Sequence, residues 1–178
     1  EAFGVHYAPT LNVEGRDLTL NGTGVAYRAL VKLYTVGLYL PAKAHQSSEA
    51  LAQSGPKQLR FVLLRSMRVD EVGKLITRGI EHNSSRQEFF RLIPAIRAMG
   101  EQFSRMKRLN AQDVFTIAYM PERGTVFLVN DDPVGAAIAD PQFFPAILKV
   151  WLGSDPATTD LKNALLDHKA QPVLSALE

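Results

Sequence analysis

The stretch that decides the fold is residues 31–41, VKLYTVGLYLP, a mostly apolar run that ends at a proline. Side chains two positions apart in a strand point to the same face of a sheet, and this composition favours a strand. We therefore predict one long strand over residues 28–40, ended by Pro41. The same stretch carries Lys32, two tyrosines and a threonine, so the question is what these polar groups serve.

Length and composition indicate an ordinary globular protein. The chain has 178 residues, of which 46% are hydrophobic and 21% charged, and we expect a single domain over residues 1–178. It has no cysteine, which excludes disulfides, a thiol nucleophile and Cys-ligated zinc. No apolar run reaches the length of about 18 residues that spans a membrane, so no spanning segment is predicted.

The order of predicted elements favours the α+β class. Helical spacing of apolar residues predicts two helices between residues 69 and 106, the second opening with the capping-box pattern Ser85-Arg-Gln-Glu88 and expected to be kinked or divided at Pro94. Extended runs joined by tight turns predict an antiparallel meander over residues 113–138. The other predicted elements are a short strand at 17–21, a turn at 21–24, a helix at 47–54, a strand at 58–66, a helix from Asp140-Pro141 to Gly153, and a last helix from about residue 159.

Common catalytic and metal-binding patterns are missing from the sequence. The four histidines lack partners at metal-site spacing, no G-x-S-x-G motif is present, and the glycines of residues 21–24 are too few for a dinucleotide loop. We therefore expect neither a metal nor a cofactor. Residues 60–108 hold 11 Lys/Arg against 5 Asp/Glu, but the arginines alternate with an apolar stripe, as on a solvated helix face. Without interleaved aromatics, no nucleic-acid binding is predicted.

The predicted strand 28–40 has one face that is polar at one end and apolar at the other. On a continuous strand Arg28, Lys32 and Tyr34 would share a face with apolar side chains, among them Leu38 and Leu40. Such a face suits an amphipathic ligand, with a charged head near the cations and an apolar wall beyond them. The alternative is a strand end that emerges into solvent with its cations exposed.

Several segments resemble proteins of the chalcone isomerase fold. Residues 31–40 are similar to the family segment K-[FVL]-x-x-x-G-[VL]-Y-L, and NGTGV at 21–25 is similar to the turn before it. AILKVWLG at 146–153 with TDLK at 159–162 is similar to the C-terminal helix, its terminating glycine and the next helix. The resemblance runs from about residue 12 to 170 and implies a chalcone isomerase-like, open-faced antiparallel β-sheet of six or seven strands with helices packed on one face.

The resemblance also identifies the positions at which plant chalcone isomerases close a flavanone ring. Ala26 occupies the place of their arginine, Tyr34 that of the strand threonine, Ile76 that of the helix tyrosine, and Val150 that of the C-terminal threonine, while Asn83 matches their asparagine. The cyclisation needs a cation for the nascent anion and hydroxyls that order water. Alanine, isoleucine and valine supply neither, so we predict no catalytic residues and no chalcone cyclisation.

The same fold includes non-catalytic relatives that hold a fatty-acid carboxylate with an arginine and a tyrosine on this strand. Tyr34 matches the tyrosine, Arg28 is the candidate arginine, and Lys32 is its rival. The predicted site lies between this strand and the helix of Ile76, and its candidate ligand-binding residues are Arg28, Lys32, Tyr34, Ile76, Asn83 and Val150. The alternatives are an isomerase- or lyase-type enzyme with an altered site, and an interaction protein without a small ligand.

The Trp-Leu-Gly form at residues 151–153 is that of small bacterial members of the fold, which are typically exported. The chain begins at Glu1 without a methionine and has no cysteine. We therefore expect a periplasmic protein whose signal peptide ends just before Glu1. The sequence carries no signal for the oligomeric state.

Overall fold

The computed structural model describes residues 3–168, which form one large antiparallel sheet covered by helices. The sheet has seven strands in the order β1-β2-β3-β4-β7-β8-β9, and every neighbouring pair is antiparallel. Its strands are β1 (Thr10–Val13), β2 (Arg16–Arg28), β3 (Val31–Leu40), β4 (Lys57–Leu63), β7 (Val114–Met120), β8 (Gly124–Val129) and β9 (Asp132–Pro133). A separate two-stranded sheet pairs β5 (Met67–Arg68) with β6 (Arg108–Leu109). The predicted α+β fold is confirmed.

Within residues 3–168, five helices accompany the sheet: α1 (Ser47–Ala52), α2 (Val69–His82), α3 (Arg86–Phe103), α4 (Phe143–Leu152) and α5 (Thr159–Leu165). Alternate side chains of β3 and β4 face them, and together they bury one continuous cluster, which we call the helix-side core. α4 lies inside it, with eight of its ten residues buried. A helix that is apolar all round is stable only when it is surrounded, and α4 packs against α1, α2, α5 and β8.

The opposite face of β3 is covered by the N-terminal segment, residues 3–9. The Tyr7 ring lies against Gly37, where any Cβ would come within 2.7 Å of the ring. Tyr7 Oη and Thr35 Oγ1 form a buried hydrogen bond of 2.8 Å, and Tyr39 Oη donates to the carbonyl of Ala8 at 2.8 Å. Burial raises the pKa of Tyr7 to about 12. Two of the three hydroxyls of residues 31–41, those of Thr35 and Tyr39, therefore join β3 to the N-terminal segment.

The long strand predicted at 28–40 is divided in the structure. β2 ends at Arg28, Ala29 adopts a left-handed φ of 54°, and β3 begins at Val31. The turn predicted at residues 21–24 is also wrong, because β2 continues through it with a register shift between Leu20 and Gly22. There the Asn21 side chain bonds the backbone of Ala44 and the carbonyl of Leu165, so it ties two other segments to the strand.

The predicted helices are close to the observed ones. Ser85 caps α3 and its Oγ accepts from the Glu88 amide at 3.1 Å, but Pro94 does not divide this helix. α4 begins at Phe143 rather than at Pro141 and ends before Gly153 as expected. The last run of the predicted meander, 134–138, makes only an isolated bridge between Ile138 and Thr125.

Gly79 allows α2 to approach α4 closely. A Cβ at this position would meet the Val150 side chain at 2.5–3.0 Å, whereas a Cβ at Gly100 on α3 would have no atom within 4 Å. We predict that Gly79→Ala lowers the free energy of unfolding by about 1–3 kcal/mol through overpacking. Gly100→Ala should raise it by about 0.5–1 kcal/mol, because alanine is the better helix former.

Urea denaturation followed by far-UV circular dichroism measures both changes. If the clash is the cause, Val150→Ala introduced into the Gly79→Ala protein should recover part of the loss. Equal stability of the Gly79→Ala and Gly100→Ala proteins would show that α2 and α4 do not pack as described.

Candidate functional site

The site is built around Tyr34, which reaches from β3 into the helix-side core. Its hydroxyl accepts a hydrogen bond from Trp151 Nε1 at 3.2 Å, and its side chain is nearly fully buried. Phe61 meets the Tyr34 ring edge-on at 5.4 Å between centroids and lies 5.0 Å from the Trp151 ring. Burial raises the pKa of Tyr34, so the hydroxyl stays protonated at neutral pH. Among residues 3–168, no second hydrogen-bond partner engages it.

A small apolar void lies beside the Tyr34 ring. It measures about 30 Å³, and its wall includes Tyr34, Trp151 and Ile76 together with Met67 and Leu75. Pockets that hold small ligands usually measure about 300–1,000 Å³. The predicted space between β3 and α2 therefore exists, but in this conformation it is far smaller than an acyl chain.

An open groove of about 460 Å³ adjoins the void. Met67 and Leu75 line both spaces and separate them. The charged groups of the groove are the cations Arg28, Lys74 and Arg78, the carboxylates Glu71 and Asp155, and His82. His82 Nδ1 lies 3.8 Å from Asp155 Oδ2, so that carboxylate already has a partner when the imidazole is protonated. The groove thus brings three cations and two carboxylates together next to an apolar interior.

Lys32 does not share the face of Tyr34, which corrects the prediction. Tyr34 is paired with Ala26 and Lys32 with Tyr27, so β3 contains one more residue than β2 over this interval. Such a bulge reverses the alternation of side chains beyond it. As a result Leu33 packs against the helix-side core, while Lys32 Nζ lies 4.8 Å from the centroid of Phe3 in the N-terminal segment.

Asn83 also lies outside the predicted site. It follows the last residue of α2, and its Nδ2 donates to the carbonyls of Gly79 at 2.8 Å and Asp155 at 2.7 Å. Its Oδ1 accepts from the Asp155 amide at 2.9 Å. Asn83 therefore ends the helix and holds the segment after α4, and it does not face the sheet with Ile76. The prediction that Ile76 and Asn83 share a helix face, made from their seven-residue spacing, was wrong because α2 ends at His82.

The six predicted residues thus divide into three groups. Tyr34 and Ile76 line the void, Arg28 and Val150 line the groove, and Lys32 and Asn83 line neither. Sequence reasoning missed Lys74 and Arg78, which project from the polar side of α2 into the groove. Their spacing of four residues was a usable signal, because such residues lie on one helix face.

Helices α2 and α3 border a second groove, which has the larger volume. It measures about 930 Å³, lies between α2 and α3, and has Met99 and Phe103 at its floor. Lys74 and Arg78 line it as well, so their side chains stand between the two grooves. Among residues 3–168 no group of three or more His, Asp or Glu side chains could hold a metal ion, and no helix is long and apolar enough to cross a membrane.

Comparisons with known proteins agree with this architecture. A family model described as chalcone isomerase-like matches residues 1–167. The crystal structure of a fatty-acid binding protein from Arabidopsis thaliana superposes with a TM-score of 0.70 and 12% sequence identity, over 92% of each chain. No curated protein matches the sequence. At this identity the solved structure shows that the fold is shared, and the family model covers nearly all of the described residues.

The hydrogen bond between Tyr34 and Trp151 should contribute measurably to stability. Tyr34→Phe leaves the buried indole N–H of Trp151 without its acceptor, and we expect the free energy of unfolding to fall by about 1–3 kcal/mol. Tyr119→Phe is the matched control, since that ring stacks on Phe144 at 5.3 Å and its hydroxyl makes no hydrogen bond among the described residues. The control should stay within about 0.5 kcal/mol of the wild type.

Denaturant unfolding of both variants, followed by the fluorescence of the single tryptophan, gives the comparison. Equal losses in the two variants would contradict the assigned role of the Tyr34 hydroxyl.

Proposed function

We propose that this chain, which belongs to the chalcone isomerase-like family, is a non-catalytic binding protein for a small amphipathic carboxylate such as a fatty acid. The main observation behind this proposal is that a groove with three cations adjoins the apolar void lined by Tyr34. Met67 and Leu75 line both the groove and the void. The structural likeness to a fatty-acid binding protein is consistent with this proposal.

The groove supplies the contacts for the carboxylate head. Arg28 comes from the end of β2, while Lys74 and Arg78 lie one helical turn apart on α2, so the cations approach the groove from two elements. A hydrogen bond to a charged group contributes about 1.5–3 kcal/mol, and arginine can engage both carboxylate oxygens. Glu71 and Asp155 lie in the same groove and would repel a misplaced head, which limits where the anion can bind.

The void supplies the start of the path for the apolar tail. A water molecule needs about two to four polar partners, whereas the wall of the void exposes only aliphatic and aromatic carbon, so methylene groups suit it better than water. Each buried methylene contributes about 0.8 kcal/mol. Entry requires Met67 and Leu75 to part, and the three torsions of a methionine make such repacking inexpensive.

The positions that carry chalcone chemistry in the enzymes are apolar and closed here, which supports a non-catalytic role. Ala26, Ile76 and Val150 are buried in the helix-side core. Tyr34 is held protonated by burial and faces carbon, so it is poorly placed to act as a base or to order water. An altered-site enzyme would need reactive groups that this wall lacks.

Fatty-acid affinity should depend on the groove and on tail length. In calorimetry with a series of saturated fatty acids, we expect affinity to rise with each added methylene until the interior is filled, and to fall when the carboxylate is methylated. Arg28→Gln should weaken binding by about tenfold through the lost charge-assisted bond. Leu75→Trp, which narrows the passage, should reduce the gain per methylene.

Arg97→Gln is the matched control, because Arg97 is an exposed cation of α3 that lines neither space. Tyr34→Phe tests whether the hydroxyl contacts the ligand or serves only Trp151. Absence of binding at every chain length, or equal affinity of the Arg28→Gln and Arg97→Gln proteins, would refute the proposed site.

Chalcone cyclisation should not be accelerated by this protein. Because Ala26 stands where the enzymes have their arginine, nothing at the void neutralises a developing anion. Incubation with a hydroxylated chalcone, followed by the loss of its visible absorbance, should give the buffer rate. Acceleration that Tyr34→Phe or Arg28→Gln abolishes would instead favour the altered-site enzyme.

We also propose that the protein acts in the periplasm of a bacterium. The support is the resemblance of its Trp-Leu-Gly segment at residues 151–153 to exported bacterial members. The gene should encode a basic, then apolar, then small-residue leader before Glu1. A reading frame that starts directly at Glu1 would contradict this location.

A further inference from the structure

Exposed apolar side chains are concentrated at one end of the β2–β3 hairpin. Four large apolar side chains are exposed among residues 3–168, and three of them, Phe3 (54%), Tyr27 (46%) and Leu30 (96%), belong to this end. Tyr27 is the cross-strand partner of Lys32, whose Nζ lies over the Phe3 ring. Single exposed apolar residues are common on protein surfaces, but a group of three in one place is a sign of an interaction surface.

The turn holds Leu30 away from the protein. Ala29 adopts a left-handed φ of 54°, so the chain reverses in two residues between the ends of β2 and β3. Leu30 is consequently almost fully solvated, although the leucines within these two strands are buried or partly buried. The cost of leaving this side chain in water would be relieved by any apolar medium that reaches the turn.

The same end is cationic. Arg28 and Lys32 flank the turn and are exposed, and the sequence contains no Asp or Glu between Asp17 and Glu49. A group of apolar and aromatic side chains flanked by two cations matches the chemistry of an anionic bilayer surface, where acyl chains lie below negative headgroups. An acidic protein segment would satisfy the cations but would leave Leu30 less completely covered.

We propose that the hairpin end formed by Phe3 and residues 27–32 docks on an anionic lipid bilayer, with Leu30 inserted among the acyl chains and Lys32 at the headgroups. Arg28 belongs both to this end and to the groove, so docking would bring the groove entrance near the lipid surface. This inference goes beyond ligand binding and does not depend on it, because docking involves no free fatty acid.

Sedimentation with lipid vesicles tests the proposal. The purified protein should bind vesicles that contain phosphatidylglycerol, bind weakly to those of phosphatidylcholine alone, and dissociate as salt is raised. We expect Leu30→Asp to lower vesicle partitioning by at least about tenfold, and Lys32→Gln to lower it about fivefold. Phe90→Asp is the matched control, since Phe90 is 64% exposed but lies on α3, and its partitioning should equal that of the wild type.

A second measurement locates the inserted residue. With brominated lipids as quenchers, Leu30→Trp should show tryptophan quenching and Phe90→Trp should not, since the native Trp151 is buried in both proteins. The docking proposal is overturned if no vesicle binding occurs, or if Leu30→Asp and Phe90→Asp bind equally. It is also overturned if sedimentation velocity shows self-association that Leu30→Asp abolishes, which would make this end a contact between two copies.

Discussion

The fold depends on burying β3 on both faces. On one side its side chains enter the helix-side core around α4, and on the other Tyr7 covers Gly37 while its hydroxyl meets Thr35. A strand enclosed in this way needs a partner for each polar group, because an unpaired buried group costs about 1–3 kcal/mol. The hydroxyls of residues 31–41 are therefore mainly structural. Among them, Tyr34 is the one whose side chain also lines the void.

The extra residue of β3 near Leu33 decides which side chains of this strand face the groove. Without it, Lys32 would face the helices and Leu33 the N-terminal segment. With it, an aliphatic side chain packs beside the groove, and the cation moves to the exposed end of the hairpin. The cations of the groove come instead from Arg28 and from α2. The irregularity therefore assigns Lys32 to the proposed lipid contact alone, while Arg28 belongs to both places.

Strand and helix patterns predicted the elements well, because each depends on neighbours a few residues apart. The stripe of α2, the cap at Ser85 and the end of α4 at Gly153 all appear where local chemistry places them. The site was predicted less well. The end of α2 at Asn83 is fixed by hydrogen bonds to the distant Asp155, which local spacing does not reveal. The bulge in β3 shifts the register by one residue, and such a shift reverses the facing of the strand's side chains beyond it.

The C-terminal end of α2 is held more firmly than its middle, and this difference bears on how a closed void could admit a ligand. Its C-terminal end is fixed by the close contact of Gly79 with Val150 and by the three hydrogen bonds of Asn83. Its middle presents Leu75 and Ile76 to the void, where the packing is already incomplete. Widening should therefore occur by movement of Leu75 and Met67, because displacing the C-terminal end would break buried contacts as well. A ligand that needs only this movement retains the stability of α2 and α4, which favours a slender tail over a bulky ring system.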